Sequence, residues 1–488
     1  MGFKKVFFHT VLVFCFGASC SGITGASGQG SGVAVEMLGL TPGASTSELN
    51  LNWYSGNQRY YQKTMVRVFK GEELVAEESG SFGKASAGRN FHKATVMNLE
   101  PDTRYRYSVS SDGKSWSEEY EYKTPKAGAF RFAAISDPQV NAAGTSKQGK
   151  QDSESAWFSI DQTSASGWAA VVDRIVSEGV DFILSAGDHV DKTSGDESEY
   201  ANFFAPPALR SLPFAPVPGN HDKHCSFMYH FHLPNEYNAP AECEGDGFKT
   251  IEKVANYFYL YNNVLFVGLN TTAYPGSTDD AKFYVKVFDE VIEKAKAANS
   301  GKYTWLIVNH HKSTATIADH VADYDLQRYV EAGFEKLMDK HGVDLVLAGH
   351  DHVYARSYVM KAGGIWNTAR KKYEGGLVVD KTKEQISLAE NPGTVYITMT
   401  TASGIKYYDL FNSSGHLFVK NNEEYPYLVK GLVGSKAYMA GNLPLSVNIG
   451  FQHKIPSYMI FEVDGNTIAV STYEVDKETP VDSFVMRK

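Results

Sequence analysis

The feature that most constrains this chain is a set of five polar clusters, each of which follows a short apolar run or an extended segment. In an open α/β sheet, ligands bind beyond the carboxyl ends of the strands, so these clusters are predicted to converge on one edge. Glycines in three of them suit tight turns that let the next side chain reach the site. The clusters are Asp137-Pro138-Gln139, Gly187-Asp188-His189-Val190-Asp191, Gly219-Asn220-His221-Asp222, Asn309-His310-His311 and Gly349-His350-Asp351-His352.

The polar side chains in these clusters share one coordination chemistry. Carboxylate, amide and imidazole ligands suit Fe, Mn or Zn, whereas the chain has no Cys-x-x-Cys pair for a thiolate site. A central carboxylate can bridge two ions about 3.5–4 Å apart, which is the spacing used for phosphoryl transfer. Taken one at a time, each residue is more often a capping or hydrogen-bonded residue at a strand end. Six such residues in this order favour a metal site: Asp137, Asp188, Asn220, His310, His350 and His352.

The chain divides into two blocks of different pattern, as expected for 488 residues. Residues 34–125 alternate apolar and polar positions, as in Leu49, Leu51 and Trp53, and are assigned to a small β-sandwich. From Phe130 onward, apolar strands alternate with amphipathic helices up to residue 488. Two apolar stripes at helical spacing, within residues 284–295 and 326–338, are predicted to face the core.

The first 20 residues are predicted to be a signal peptide. Lys4 and Lys5 precede the apolar stretch Val6–Phe16, which is shorter than the ~20 residues of a membrane-spanning helix. Cys20 follows Gly-Ala-Ser as in a bacterial lipoprotein signal, and ordinary cleavage near Ser19 is an equal alternative. Both alternatives predict an exported protein that is secreted, periplasmic or lipid-anchored at the cell surface. Residues 21–33 are Gly/Ser-rich and predict a flexible linker.

Charge and cysteine usage narrow the range of partners. The net charge is −9 without a Lys/Arg block, so a nucleic-acid-binding patch is not predicted. Membrane attachment is expected only through the candidate lipid anchor at Cys20. Export favours a disulfide between Cys225 and Cys243, with two free buried thiols as the alternative.

The order of the five clusters resembles the signature of the calcineurin-like metallophosphoesterases. The segment Leu99–Val109, with Tyr105, resembles the tyrosine corner of fibronectin type III sandwiches. The preceding block also resembles the N-terminal domain of purple acid phosphatases, and Gly-His-Asp-His-Val-Tyr-Ala-Arg is similar to a fragment of theirs. This resemblance implies a β-sandwich (34–125) followed by a four-layer αββα catalytic domain (128–488).

The resemblance also implies a role for each matching residue. His221 would be the general acid and Asp222 the carboxylate that orients it, while a metal-bound hydroxide attacks phosphorus in line. Asp188 would bridge two metal ions. Asp137 and His352 would complete the first metal site, and Asn220, His310 and His350 would bind the second ion, with the family spacing favouring His310 over His311.

Two positions depart from the family pattern. Gln139 stands where most members have a histidine ligand. A subset of the family resembles this chain in having Asp-x-Gln at this position. Whether the Gln139 amide binds a metal stays open. Asp191 stands where purple acid phosphatases have the tyrosine that binds ferric iron. We therefore expect no purple colour and no fixed preference for iron among Fe, Mn and Zn.

The favoured interpretation is an exported dinuclear-metal phosphomonoesterase that acts on a small phosphorylated substrate. A phosphodiesterase or nucleotide pyrophosphatase on the same site is the first alternative. An alternative of another class is a surface-anchored binding protein with a degenerate catalytic domain, which Gln139 favours and the intact His221-Asp222 pair opposes. The zinc hydrolases with His-Glu-x-x-His are excluded because that motif is absent. Substrate, metal identity and oligomeric state stay open.

Overall fold

The computed structural model describes residues 34–56, 63–141, 163–192, 197–222, 225–238, 254–318, 320, 323–361, 365–367, 372–374, 377–404, 406–408 and 447–488. The predicted signal peptide, Cys20, the linker and Cys243 lie outside these residues. Cys225 is disulfide-bonded. Within the described part of the chain, no helix combines the length and the apolar character that crossing a membrane requires.

The N-terminal block forms a β-sandwich of two antiparallel four-stranded sheets. One sheet has the order β1-β2-β6-β5 and the other β4-β3-β7-β8. The strands are β1 (Glu36–Pro42), β2 (Leu49–Gly56), β3 (Met65–Lys70), β4 (Glu73–Ser79), β5 (Ser81–Lys84), β6 (Arg89–Val96), β7 (Arg104–Ser110) and β8 (Tyr120–Lys123). Buried Trp53, Leu51, Val66 and Tyr107 are part of the core between the sheets. The predicted domain boundaries at 34–125 and 128–488 stay predictions.

Among the described residues, the second block contains the remaining eighteen strands, six α-helices and a short 3-10 turn at Pro207–Arg210. The strands are β9 (Phe130–Ile135), β10 (Phe182–Ser185), β11 (Phe214–Pro216), β12 (Tyr257–Tyr261), β13 (Val264–Gly268), β14 (Trp305–Lys312), β15 (Leu345–Gly349), β16 (Tyr354–Ser357), β17 (Val359–Lys361), β18 (Ile365–Asn367), β19 (Lys372–Glu374), β20 (Leu377–Asp380), β21 (Gln385–Ser387), β22 (Val395–Thr398), β23 (Val447–Phe451), β24 (Ser457–Asp464), β25 (Thr467–Glu474) and β26 (Asp482–Arg487). The helices are α1 (Ser164–Ser177), α2 (Ser198–Phe203), α3 (Cys225–His230), α4 (Thr278–Ala298), α5 (Tyr324–Glu331) and α6 (Phe334–His341).

Most of these strands form two seven-stranded mixed sheets that pack face to face. The first sheet has the order β11-β10-β9-β24-β25-β26-β21, and the second β12-β13-β14-β15-β22-β16-β23. Phe132 of the first sheet meets Phe266 of the second edge-on, with ring centroids 5.2 Å apart. Trp168 of α1 packs on Phe214 of the first sheet, and the apolar faces of α4 and α6 pack on the second. The predicted four-layer αββα architecture is confirmed.

The helices on the second sheet follow the predicted stripes, with one difference. Helix α4 begins at a Ser277 cap, whose hydroxyl oxygen accepts a hydrogen bond from the Asp280 N–H at 3.1 Å. The stripe within residues 326–338 is two helices, because Gly333 between them adopts a left-handed backbone with φ of 98°. A residue in that conformation ends a helix and changes its direction.

The sandwich is joined to the second block by buried polar contacts. The Glu197 carboxylate accepts hydrogen bonds from Tyr54 Oη at 3.2 Å, Ser226 Oγ at 2.8 Å and His230 Nε2 at 2.6 Å. The rings of Tyr54 and His230 also stack with centroids 4.2 Å apart. We call Tyr54, Glu197, Ser226 and His230 the interface network. It fixes the sandwich against the segment that follows the Asp188 loop.

Candidate metal centre

The polar clusters meet where parallel strands of both sheets end. Strands β9, β10 and β11 are mutually parallel, and Asp137, Asp188 and Asn220 follow their carboxyl ends. In the second sheet β14 and β15 are parallel, so His311 near the end of β14 and His350 after β15 lie at the corresponding edge. The two edges face each other across the packed sheets. The predicted convergence of the strand ends is therefore observed.

The backbone at this edge is held in an unfavourable conformation. Positive φ angles occur at Asp137 (52°), Gln139 (39°), Asp188 (54°), His350 (75°) and His352 (45°). Such residues are uncommon outside glycine, cost free energy and cluster at functional sites. Here they turn each side chain away from its strand and into the centre.

Two glycines allow the close approach of these turns. A Cβ at Gly219 would collide with the Asp188 carboxylate, and a Cβ at Gly349 would collide with Ser136 and the Asp137 carboxylate. Any larger residue would therefore displace a carboxylate from the centre. The Gly-Asn-His-Asp and Gly-His-x-His motifs need their glycines for this steric reason.

Three imidazoles are oriented in the same way by backbone carbonyl groups. Nδ1 of His311 donates to the carbonyl of Ala186 at 2.7 Å. Nδ1 of His221 donates to the carbonyl of Asp191, and Nδ1 of His352 to that of Lys406. Because a carbonyl can only accept, Nδ1 carries the proton and the neutral ring keeps a lone pair on Nε2. Histidines that bind metals are typically oriented in this way.

The two carboxylates face these ring nitrogens from opposite sides of the centre. Asp188 Oδ2 lies 3.4 Å from His311 Nε2, and Asp137 Oδ1 lies 3.1 Å from His352 Nε2. Asn220 Oδ1 is 2.9 Å from the same His311 nitrogen. Backbone N–H groups hold the other carboxylate oxygens, with His221 N on Asp188 Oδ1 at 2.7 Å and His350 N on Asp137 Oδ2 at 3.0 Å.

The donor atoms fit a hard or borderline metal ion. One ligand atom from each of Asp188, His311 and His350 lies within 4.8 Å of the others, and all three residues are buried. Gln139 Nε2 donates to Asp188 at 2.9 Å, while its buried Oε1 has no hydrogen-bond partner. A buried acceptor without a partner is costly unless something binds it. That oxygen is therefore a suitable ligand beside Asp137, Asp188 and His352.

Electrostatics at the centre favour the charged forms of Asp188 and His311. Burial alone would lower the pKa of His311, but the carboxylates of Asp188 and Asp137 raise it to about 9. Burial would likewise raise the pKa of Asp188, but His311 and His221 hold it well below its usual range. The carboxylates thus create a negative potential that the His311 imidazolium partly neutralises. A bound metal cation can replace the imidazolium in this role.

The structure corrects the choice between the two adjacent histidines of β14. His311, not His310, points into the centre, because successive side chains of a strand lie on opposite faces. The His310 ring packs edge-on against Phe334 of α6 at 4.9 Å, and neither of its nitrogens has a hydrogen-bond partner. Burial lowers the pKa of His310 to about 3. Both faces of β14 are buried, so apolar patterning gave no sign of which histidine faces the site.

The expected role of Asp222 is also corrected. Its carboxylate does not orient His221 but accepts from His189 Nδ1 at 2.9 Å and from the backbone N–H of Gly219 at 2.9 Å. His189, which sequence reasoning left without a role, is buried and also contacts Ser185 Oγ at 3.0 Å. Asp222 thus holds together the turns that carry Asp188 and Asn220, whereas His221 is oriented by the Asp191 carbonyl.

Sequence reasoning missed two residues of the centre. Lys406 accepts from His352 through its carbonyl, and its Nζ lies 2.6 Å from Asp191 Oδ1. Asp191, which stands where purple acid phosphatases have a tyrosine, therefore forms an ion pair with Lys406. The His320 ring stacks on His350 with centroids 4.0 Å apart. Neither residue belongs to one of the five polar clusters, so only the tertiary structure shows that they lie at the metal centre.

Two parts of the chain match models of known protein families. Residues 130–354 match the model of the calcineurin-like phosphoesterase family, and residues 35–124 match that of the purple acid phosphatase N-terminal domain. The purple acid phosphatase PPD1 from yellow lupin (Lupinus luteus) seeds has a similar fold, with a TM-score of 0.60 at 15% identity. That match covers 93% of this chain and 74% of the lupin chain.

Curated relatives are more similar in sequence than the lupin protein but are still below 25% identity. An uncharacterized protein of Mycobacterium tuberculosis is 24% identical over 65% of this chain and 61% of its own length. Human acid phosphatase type 7 is 21% identical over 57% of this chain and 60% of that protein, and an acid phosphatase of Aspergillus ficuum is 23% identical over 57% and 62%. The chain thus spans about three fifths of the length of the curated relatives it matches.

Proposed function

Because the chain combines a calcineurin-like phosphoesterase domain with a purple acid phosphatase N-terminal domain, we propose that it is an exported, metal-dependent phosphomonoesterase. The observation that carries the proposal is the orientation of His221, His311 and His352. Each donates Nδ1–H to a backbone carbonyl, so each presents Nε2 beside the carboxylates. A degenerate domain that only binds a partner would have no need to keep three rings in this state.

The proposal assigns two groups of ligands around a shared carboxylate. Asp188 lies between them, with Asn220, His311 and His350 on one side and Asp137, Gln139 and His352 on the other. Bound Fe, Mn or Zn ions would activate a water molecule and neutralise the phosphoryl oxygens. Asp137 and Asp188 are held by backbone N–H groups, which keeps their remaining oxygens directed at the ions.

His221 is the proposed general acid for the leaving oxygen. Its side chain is 28% exposed, in contrast to the buried ligands, and its Nε2 lies 4.0 Å from Asp188 Oδ2. With Nδ1–H fixed on the Asp191 carbonyl, a proton on Nε2 is the one that it can transfer. Partial exposure lets the ring regain that proton from solvent after each turnover.

Export is part of the proposal and is supported by the disulfide at Cys225. Disulfides form and persist mainly outside the cytoplasm. The predicted signal peptide at residues 1–20 and the candidate lipid attachment at Cys20 are consistent with it.

The proposal is tested by hydrolysis of p-nitrophenyl phosphate and bis-p-nitrophenyl phosphate by metal-stripped protein supplied with Mn, Fe or Zn. Asp188→Ala and His221→Ala are the inactivating variants. We expect metal-dependent turnover that both variants lose, with the monoester preferred. Preference for the diester would move the assignment to a phosphodiesterase. Absence of both turnover and metal retention would replace the enzyme by a degenerate binding protein.

A further inference from the structure

The four histidines assigned to the metal centre are not all held in the same way. His221, His311 and His352 each donate a hydrogen bond from Nδ1 to a backbone carbonyl. For His350, the described residues offer a hydrogen-bond partner to the backbone N–H but none to the ring nitrogens. Its ring is instead contacted by the rings of His311, edge-on with centroids 4.9 Å apart, and of His320. The orientation of this ligand therefore depends on ring packing.

His320 stacks on His350, with ring centroids 4.0 Å apart and ring planes 25° from parallel. Distance alone makes His320 a candidate ligand, because ligand atoms of His320, Asp323 and His350 lie within 4.8 Å of one another. However, an imidazole binds a metal ion through a nitrogen lone pair that lies in the plane of its ring. The lone pairs of two stacked rings lie in separate planes, so an ion bound to His350 lies outside the plane of the His320 ring. This geometry favours a supporting role for His320 over that of a further ligand.

Two carboxylates hold His320 in this position. Its Nδ1 donates to Asp323 Oδ2 at 2.7 Å, and its backbone N–H donates to Asp351 Oδ1 at 3.1 Å. The second oxygen of Asp351 accepts from the Thr316 hydroxyl. Asp351 is buried and directly follows His350 in the chain. The turn that presents His350 to the centre therefore also fixes the ring that stacks on it.

Tyr408 makes the corresponding contact with His352. Its ring packs on that of His352, with centroids 4.6 Å apart and planes tilted by 36°. The same ring meets the His320 ring edge-on, with centroids 5.2 Å apart. The side-chain amide of buried Gln452 donates to the carbonyl of His352 at 2.5 Å and to that of Tyr408 at 3.2 Å. Tyr408 is thus fixed relative to His352 by its ring and by its backbone.

The contacts form a continuous row of four rings, from His350 through His320 and Tyr408 to His352. We call His320 and Tyr408, the two middle members, the ring supports. The two end members belong to different ligand groups of the proposed centre. Because packed side chains leave little free volume, a ligand ring in contact with a support can rotate only if that support moves. The row therefore links the orientations of ligands in both groups.

We propose that the ring supports are positioning residues that fix His350 and His352 for metal binding, and that Tyr408 couples the two ligand groups. This inference rests on the proposed function and identifies residues that set the metal affinity of its centre. A ligand ring that is already oriented loses less rotational freedom when an ion binds. Partners behind metal ligands commonly act in this way through hydrogen bonds, and here ring contacts take that role.

Metal affinity is measured by titrating the metal-stripped protein with Zn²⁺ or Mn²⁺ in competition with a chromophoric chelator. We expect His320→Ala to weaken binding roughly tenfold, the usual effect of losing a partner of a metal ligand. His320→Phe keeps a flat ring without nitrogens and should retain most of the wild-type affinity. Equal losses in the two variants would show that the centre needs a His320 nitrogen and not its ring face. That result, or no loss in His320→Ala, would overturn the proposal.

Tyr408→Ala tests the coupling of the two ligand groups. It should weaken both binding steps of the titration roughly tenfold, whereas Tyr408→Phe, which keeps the ring, should not. A change in one step alone would overturn the coupling.

The matched control is Tyr120→Ala, which removes a half-buried ring that packs on Tyr107 of the sandwich with centroids 5.6 Å apart. It should leave the metal affinity unchanged, and equal weakening by this control would reduce the effect to a general loss of stability. The thermal midpoint of each metal-free variant checks folding. If His320→Ala does not fold, His320→Leu replaces it with the same expected loss, because leucine fills the volume without a flat ring.

Failure of the proposed function is distinguished from failure of this inference because the titration uses no substrate. Weaker metal binding by the alanine variants, in a protein that hydrolyses no phosphate ester, would support the ring supports and reject the phosphoesterase function. Wild-type metal affinity in both alanine variants of an active enzyme would reject the ring supports alone. A wild-type protein that binds neither Zn²⁺ nor Mn²⁺ would overturn both.

Discussion

Buried polar side chains are satisfied differently in two regions of the described chain, the interface network and the metal centre. In the interface network, Glu197 accepts three hydrogen bonds from Tyr54, Ser226 and His230. Burial would raise the pKa of Glu197, but these donors lower it. In the metal centre, the carboxylates of Asp137 and Asp188 have donors, but the buried Gln139 Oε1 has no partner among the described residues. The first arrangement is complete without a ligand, whereas the second needs a cation.

Backbone conformation separates the same two regions. The interface network contains one residue with positive φ, Glu197 at 70°, whereas the metal centre contains six, including Lys406 at 54°. Strain of this kind persists only where the surrounding structure fixes it. The comparison teaches that buried polarity stabilises the fold in one region and reduces stability in favour of ligand binding in the other.

Asp188→Asn should have the largest effect on activity and little effect on stability. The amide keeps the shape but removes the charge shared by both ligand groups, so we expect a loss of roughly 10³-fold or more in kcat/KM. The thermal midpoint of the metal-free protein should change little, because the amide oxygen can still accept from the His221 N–H, and the lost attraction to His311 is offset by the lower desolvation cost of a neutral side chain. Steady-state kinetics and calorimetry on one preparation measure both. A large drop in the thermal midpoint would show that the carboxylate is structural.

Replacing each of the adjacent histidines of β14 should show which one binds metal and which one packs in the core. We expect His311→Ala to lower kcat/KM roughly 10²- to 10³-fold and to reduce the metal content. His310→Leu should keep the activity and raise stability by about 1 kcal/mol, since it removes buried polar atoms that lack partners. Elemental analysis and thermal unfolding check the pair. Metal loss in His310→Leu alone would reverse the assignment.

Glu197→Ala should destabilise the protein without changing the chemistry. It leaves the buried Tyr54, Ser226 and His230 side chains without their common acceptor, at a cost of roughly 2–3 kcal/mol in the free energy of unfolding. Denaturant unfolding measures this cost, and kcat of the folded fraction should be within about twofold of wild type. Val176→Ala is a suitable control, because Val176 is a 46% exposed residue of α1 and is not part of either region.

The buried histidine of the sandwich gives the smallest expected effect, through pH. Burial lowers the pKa of His92 from 6.5 to about 4. The folded state therefore keeps the ring neutral while the unfolded chain takes up a proton, and stability falls as pH decreases below 6.5. The loss should reach roughly 2 kcal/mol at pH 5. His92→Gln should flatten the decline of the thermal midpoint between pH 7 and pH 5. An unchanged slope would contradict it.

Strand ends were the most predictable part of this fold, and local side-chain direction was the least. The apolar runs before Asp137, Asp188 and His350 correctly predicted β9, β10 and β15, because buried parallel strands need continuous apolar sequence. The stripe across Gly333 predicted one helix where there are two, because periodicity alone does not register a left-handed residue.

The motifs predicted which types of residue form the metal centre. They did not predict which way each side chain points or which partner it contacts. His311 and His310 are identical in type and differ only in the strand face that they occupy. Asp222 has a carboxylate that could orient His221, but the geometry of the turns places this carboxylate against His189. Lys406 and His320 enter through loops far along the chain from the motifs. Their contribution depends on tertiary structure, which no local pattern records.

The interface network has a consequence for how the two domains are inherited and used. A gene fragment that encodes only the second block would leave Glu197 and His230 without the tyrosine that covers them, and the segment beyond the Asp188 loop would lose its anchor. The second block is therefore not a module that can be transferred on its own. Recombination among relatives that exchanged sandwiches would have to carry β2 and the Glu197 segment together, so we expect the two domains to have diverged as one unit.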